Sequence, residues 1–176
     1  IHLFQKLLGL IRLKVRMIRI NVIINDTRWY RHIKNPHNYI DRKVNKLNSK
    51  SITKTKNLFT CSLLLTDKKE IKYFNKKFRN KDRATDVLSF PFNKKKDFKK
   101  ILKKNKEIYL GDMIINLDHV RSKKSSKDFK TNFDQLWIHG LIHLFGYDHI
   151  KDSDYEKMNK VEKKYLGIIN VKKVSK

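Results

Sequence analysis

Two periods govern the apolar positions of the chain. Ile18, Ile20, Val22 and Ile24 alternate with Arg19 and Asn21, the period of a strand with one buried face, and predict a strand over 18–25. The run Leu58-Phe59-Thr60-Cys61-Ser62-Leu63-Leu64-Leu65 is apolar on both faces and predicts a buried strand. A short strand is expected over 86–90, ended by Pro91, and another over 107–117 carrying Gly111-Asp112. Helical spacing accounts for four other segments. Pro36 suits the first turn of a helix reaching about residue 50. Asp67 offers an N-cap with Glu70 three residues on, before an apolar face of Ile71, Phe74 and Phe78. A long helix is expected over about 132–145, and a last one over about 153–166, opened by the capping box of Ser153 and Glu156. The polar turn 79–83 and the charged stretch 93–106 read as exposed connections. Four strands interleaved with helices predict a single α+β domain, one mixed sheet of about four strands packed with helices. Strand order is not contained in the pattern.

No run approaches the roughly 20 apolar residues of a membrane span. Residues 1–16 mix apolar positions with Lys6, Arg12, Lys14 and Arg16, as a basic amphipathic segment would. Because Met17 directly precedes the first strand, these residues are expected to be an upstream extension or a mis-called start, leaving 17–176 as the domain. The lone Cys61 excludes an internal disulfide and reads as a core residue, so a cytoplasmic setting is expected. Charge adds a partner class. Forty-three Lys and Arg against 17 Asp and Glu give +26, which favours a polyanion such as nucleic acid. An AT-biased genome would also enrich Lys, Ile and Asn, so the charge supports nucleic acid without establishing it.

The candidate chemistry lies in His139-Gly140-Leu141-Ile142-His143-Leu144-Phe145-Gly146-Tyr147-Asp148-His149. His139 and His143 are four apart, so a helix places both imidazoles on one face. Gly146 can take the left-handed conformation that ends a helix and returns His149 toward the pair. Three imidazoles leave a fourth tetrahedral position open, which is the catalytic arrangement of zinc. The spacing H-x₃-H-x₅-H also matches the metzincin proteases, but those need a Glu directly after the first His, where this chain has Gly140.

The same residues resemble the signature of the YbeY family of bacterial endoribonucleases. A second segment, Phe78-Arg79-Asn80-Lys81-Asp82-Arg83-Ala84-Thr85-Asp86-Val87-Leu88-Ser89-Phe90-Pro91, is similar to that family's arginine-containing turn and following strand. A third, Leu110-Gly111-Asp112-Met113-Ile114-Ile115, is similar to its Leu-Gly-Asp strand. Ala84 stands where the family usually has Pro, and Asn116 where it commonly has Ser. The resemblance spans roughly residues 18–167. It implies a zinc-dependent, single-strand-specific endoribonuclease in rRNA processing (late 16S 3′-end maturation) and ribosome quality control. It implies one Zn²⁺ per chain on His139, His143 and His149, with Arg79 and His139 catalytic. The partners implied are an rRNA precursor and the small ribosomal subunit, with no membrane. Two other readings compete: a metalloprotease-like hydrolase, and a non-catalytic ribosome assembly factor with a structural metal.

Asp148 is either an acceptor orienting a ligand imidazole or a turn residue, and Asp112 either faces the site or caps a bend. Thr85 and Asp86 are expected to shape the turn into the third strand. The lysines at 94–96, 99, 100, 103 and 104 either grip RNA backbone or coat a solvated loop. Trp29 and Trp137 read as core, and His2, His32, His37 and His119 as surface residues.

Overall fold

The computed structural model describes residues 17–50, 57–122, 129–147 and 152–170. Residues 1–16, Asp148 and His149 therefore lie outside the described residues. Four strands, β1 (Met17–Ile24), β2 (Leu58–Thr66), β3 (Val87–Pro91) and β4 (Glu107–Asn116), form one sheet in the order β1-β2-β4-β3. β1, β2 and β4 run parallel, and β3 returns antiparallel to β4. The helices are α1 (Pro36–Ser49), α2 (Lys68–Arg79), α3 (Phe98–Lys104), α4 (Leu117–Ser122), α5 (Phe129–Leu144) and α6 (Asp152–Asn170). The architecture is a single α+β domain with a four-stranded mixed sheet.

Local chemistry explains the element boundaries. Asn35 caps α1 by accepting from Asn38 N at 2.9 Å, with Pro36 in the first turn. Asp67 accepts from Glu70 N at 2.8 Å and opens α2. The polar alternation of β1 buries Ile18, Ile20 and Val22 on one face. That face joins Phe59, Leu63 and Leu65 of β2 and Ile108, Met113 and Ile115 of β4 in the main core, under α1, α5 and α6. The opposite face carries a smaller core in which Ile71 of α2 meets Leu88 and Ile114, with Leu64, Phe74 and Phe90 around it.

α5 is buried on nearly every side, and a polar contact fixes it. Asp134 is 1% exposed and accepts from Tyr39 Oη (3.0 Å), Trp137 Nε1 (3.0 Å) and Lys43 Nζ (2.7 Å). A buried carboxylate persists only with such compensation, so this network pins α5 to α1. Trp29 and Trp137 are core residues, as the sequence predicts. Cys61 is buried too, and burial first, then the Asp112 charge, pushes its thiol up to about 12, which makes it inert.

One expectation needs correction. The charged stretch 93–106 is not merely a loop: it holds a 3₁₀ turn (Lys95–Asp97) and α3, whose Phe98 is buried and whose Ile101 and Leu102 pack on the core. Phe78 shares the apolar face of α2 with Phe74, on which it stacks at 6.1 Å, and meets Phe90 at 5.4 Å while remaining 57% exposed.

Both outer strands have backbone groups engaged by a side chain. On β1, Asn48 accepts from Ile18 N (2.9 Å) and donates to Ile18 O (3.0 Å). On β3, Arg79 Nη2 donates to Ser89 O at 3.1 Å.

Candidate active site

The C-terminal end of α5 carries the histidine pair. The helix stops in a Schellman turn: Tyr147 N donates to Ile142 O (3.3 Å) and Gly146 N to His143 O (2.8 Å), with Gly146 at φ 83°. A side chain at that φ would be strained, so glycine is required there. The turn places the Tyr147 carbonyl 3.0 Å from His143 Nδ1. A carbonyl can only accept, so Nδ1 of His143 carries the proton. His139 Nδ1 lies 3.2 Å from Glu162 Oε2 on α6, and a carboxylate likewise accepts, so Nδ1 of His139 is the donor. An imidazole that donates from Nδ1 in this way can turn its Nε2 toward a metal.

Those two Nε2 atoms are 3.1 Å apart. Two ligands at about 2.0–2.1 Å from a tetrahedral zinc stand about 3.3–3.4 Å apart, so the spacing fits a shared metal. The partners at Nδ1 are of the kind that orient metal-bound imidazoles, a carbonyl and a carboxylate. The residues present therefore fit a zinc ion. The third expected ligand, His149, follows Tyr147 by two positions and lies outside the described residues, as does Asp148. Among the described residues, no group of three or more His, Cys, Asp or Glu gathers as a metal cluster.

Gly140 explains how close the helix comes to the sheet. A Cβ there would stand 3.0 Å from Met113 Sδ, 3.1 Å from Ser89 Oγ and 3.3 Å from Val87 Cγ2. The position that supplies the base in metzincins is therefore turned into the sheet, with no room for a glutamate. The Ser89 hydroxyl donates to Gly140 O at 3.2 Å, tying β3 to the histidine helix.

Arg79 reaches the same strand from the other side. It is exposed at the end of α2, stands 5.7 Å over the Phe90 ring, and donates to Ser89 O. Ser89 thus joins Arg79 to the backbone beside His139, a link that sequence reasoning missed. So was Glu162, whose contact with His139 spans 23 positions and leaves no local signal.

The neighbouring turn is set as expected. Asp86 Oδ1 accepts from Thr85 Oγ1 (3.0 Å) and Val87 N (2.8 Å). Burial alone would raise its carboxyl, but these bonds and nearby His119 outweigh it and hold the pKa below the ordinary carboxylate value. Asn116, which stands where the family commonly has Ser, donates Nδ2 to Thr85 O at 3.1 Å and so braces this turn. Asp112 faces away from the histidines, on the second sheet face, and accepts from Tyr109 Oη. His119 lies 3.8 Å from Asp86, and His32 is half-buried, stacked on Phe129 at 4.4 Å.

A single α+β domain that lays a histidine-bearing helix across a mixed sheet, with an arginine held at the sheet edge, defines the class. The sequence profile described as Endoribonuclease YbeY matches residues 21–170, and the chain belongs to that family. It is 39% identical over 160 residues to the Endoribonuclease YbeY of Pelagibacter ubique, covering 89% of this chain and 99% of that one. It is 33% identical over 157 residues to that of Buchnera aphidicola, covering 87% and 94%. The solution structure of TM1509 from Thermotoga maritima superposes with a TM-score of 0.54 at 23% identity, over 86% of this chain and 89% of that one, which supports the fold.

Proposed function

We propose that the chain is a zinc-dependent, single-strand-specific endoribonuclease of rRNA processing, acting in the cytoplasm on a ribosomal RNA precursor at the small subunit. Late 16S 3′-end maturation and ribosome quality control are its expected roles. Family membership supports the endoribonuclease activity. The observation that carries the metal reading is the pair of Nε2 atoms 3.1 Å apart with both Nδ1 positions engaged by acceptors. His139 and His143, with His149 as third ligand, would hold one zinc ion. Bound there, zinc would supply Lewis acidity for phosphodiester cleavage.

The chain's own residues divide the remaining work. Ser89 O fixes one donor of Arg79 and so sets the plane of the guanidinium. Its five-donor fork is suited to bind a phosphate and to offset negative charge as the diester reacts. The exposed lysines around α2 and α3 draw the RNA backbone without selecting sequence. Among the described residues, no helix is long and apolar enough to cross a membrane.

The test is cleavage of a single-stranded RNA and of casein by the purified protein, with and without a chelator. RNA cleavage that stops with chelator and returns with zinc supports the proposal. Casein cleavage would point to the protease, and binding of RNA without cleavage to an assembly factor.

A further inference from the structure

We propose that Glu162 is the positioning residue of the histidine pair: its carboxylate selects the tautomer of His139 and aims the Nε2 lone pair at the shared ligand position. The inference rests on the metal reading above and deepens it. The two histidines are oriented in different ways. His143 is held by the Tyr147 carbonyl, a neutral acceptor fixed by the Schellman turn of its own helix. His139 is held by a charged group from a separate helix, Glu162 Oε2 at 3.2 Å, with side chains 30% and 24% exposed.

The difference has a chemical consequence. At 3.1 Å the two Nε2 atoms are also at hydrogen-bonding distance. If the His139 proton moved from Nδ1 to Nε2, it could be donated to His143 Nε2, and the pair would satisfy itself. That tautomer blocks the position a metal needs. The carboxylate opposes it, because Nδ1–H donating to a charged acceptor is the stronger bond. α6 therefore orients His139 as well as completing the core.

The test uses full-length Glu162→Ala and the near-isosteric Glu162→Gln, with melting temperature as the check on folding. Zinc affinity is measured by competition with a chromophoric chelator, and the histidine tautomers by ¹⁵N NMR of metal-free protein at pH 8. Glu162→Ala should lose roughly 10–100-fold in zinc affinity, and Glu162→Gln less, since its amide oxygen still accepts. In Glu162→Ala the proton of His139 should shift from Nδ1 toward Nε2. Unchanged affinity and an unshifted proton would overturn the proposal. His143→Ala in the same titration separates the two readings. Loss of zinc there, with none in Glu162→Ala, overturns the role of Glu162 alone. If His143→Ala binds zinc like the wild type, the metal reading falls, and the nitrogen spectrum still decides the tautomer. Should Glu162→Ala fail to fold, Glu162→Gln carries both readouts: unchanged affinity and tautomer in that variant overturn the proposal.

Discussion

Replacing Gly140 with Ala tests how closely the histidine helix must approach the sheet. Two effects oppose. Alanine is the better helix former by about 1 kcal/mol. The added methyl, however, enters filled space, 3.0 Å from Met113 Sδ, 3.1 Å from Ser89 Oγ and 3.3 Å from Val87 Cγ2. Overpacking of this kind costs about 1–3 kcal/mol. Displacing the Ser89 hydroxyl also forfeits its bond to Gly140 O, worth about 1 kcal/mol. The Met113 side chain can yield part of the space, but it is fully buried and has little room to move. The net expectation is a loss of about 1–3 kcal/mol. For a domain of this size that lowers Tm by roughly 3–10 °C, measured by calorimetry on paired samples. RNA cleavage should fall as well, because a shifted Ser89 carries Arg79 with it. A Tm equal to or above wild type would mean that helix propensity wins and that the contact is slack, and the reasoning would fail.

His143→Ala should abolish stoichiometric zinc by elemental analysis, and full metal at unchanged affinity would remove the pair from the metal site. Arg79→Lys keeps charge but loses the fork, so it should retain zinc and fold while cutting RNA markedly more slowly. Arg79→Ala should lose on the order of 10²–10³ in single-turnover rate, with RNA affinity changing less; weaker binding at an unchanged rate would reduce Arg79 to a surface contact. The Asp26 carboxyl is held below its ordinary value, first by the hydrogen bond from Arg28. A depressed folded pKa stabilises above the unfolded value of about 3.9 and is lost as pH falls through the folded one. Asp26→Asn should therefore be less stable than wild type at pH 7, and the gap should narrow in denaturant melts as the pH falls below the ordinary carboxylate value. A gap that does not narrow on acidification would assign the effect to something other than this charge.

What the sequence made legible was local. Asp67 with Glu70, Pro36 after Asn35, and the alternation of β1 act within a few residues, and each appears where the pattern places it. The spacing of His139 and His143 needed only a helix. α3 was hidden because Phe98, Ile101 and Leu102 are embedded among lysines, which dominate any reading of polarity. The insertion of β4 between β2 and β3 depends on pairing across some 50 positions, as in Leu58 with Glu107. Ser89 acts through its backbone oxygen as well as its hydroxyl, and backbone groups carry no residue signature. Asp112, open in the sequence, is turned away from the histidines by the strand's alternation with Met113, which packs beside Gly140.

The two side chains that engage the outer strands bear on solubility. An uncovered strand edge is a template on which another chain can add, and a short sheet of four strands has two such edges. On β1 the amide of Asn48 imitates a neighbouring strand, matching both the donor and the acceptor of Ile18. On β3 the guanidinium of Arg79 occupies the Ser89 carbonyl, and Pro91 has no N–H to offer. Arg79 thus discourages self-association at the same edge where its fork faces solvent. Variants at this position would lose that guard together with any catalytic role, and molecules sequestered in aggregates would masquerade as inactive enzyme unless light scattering is recorded beside the rate.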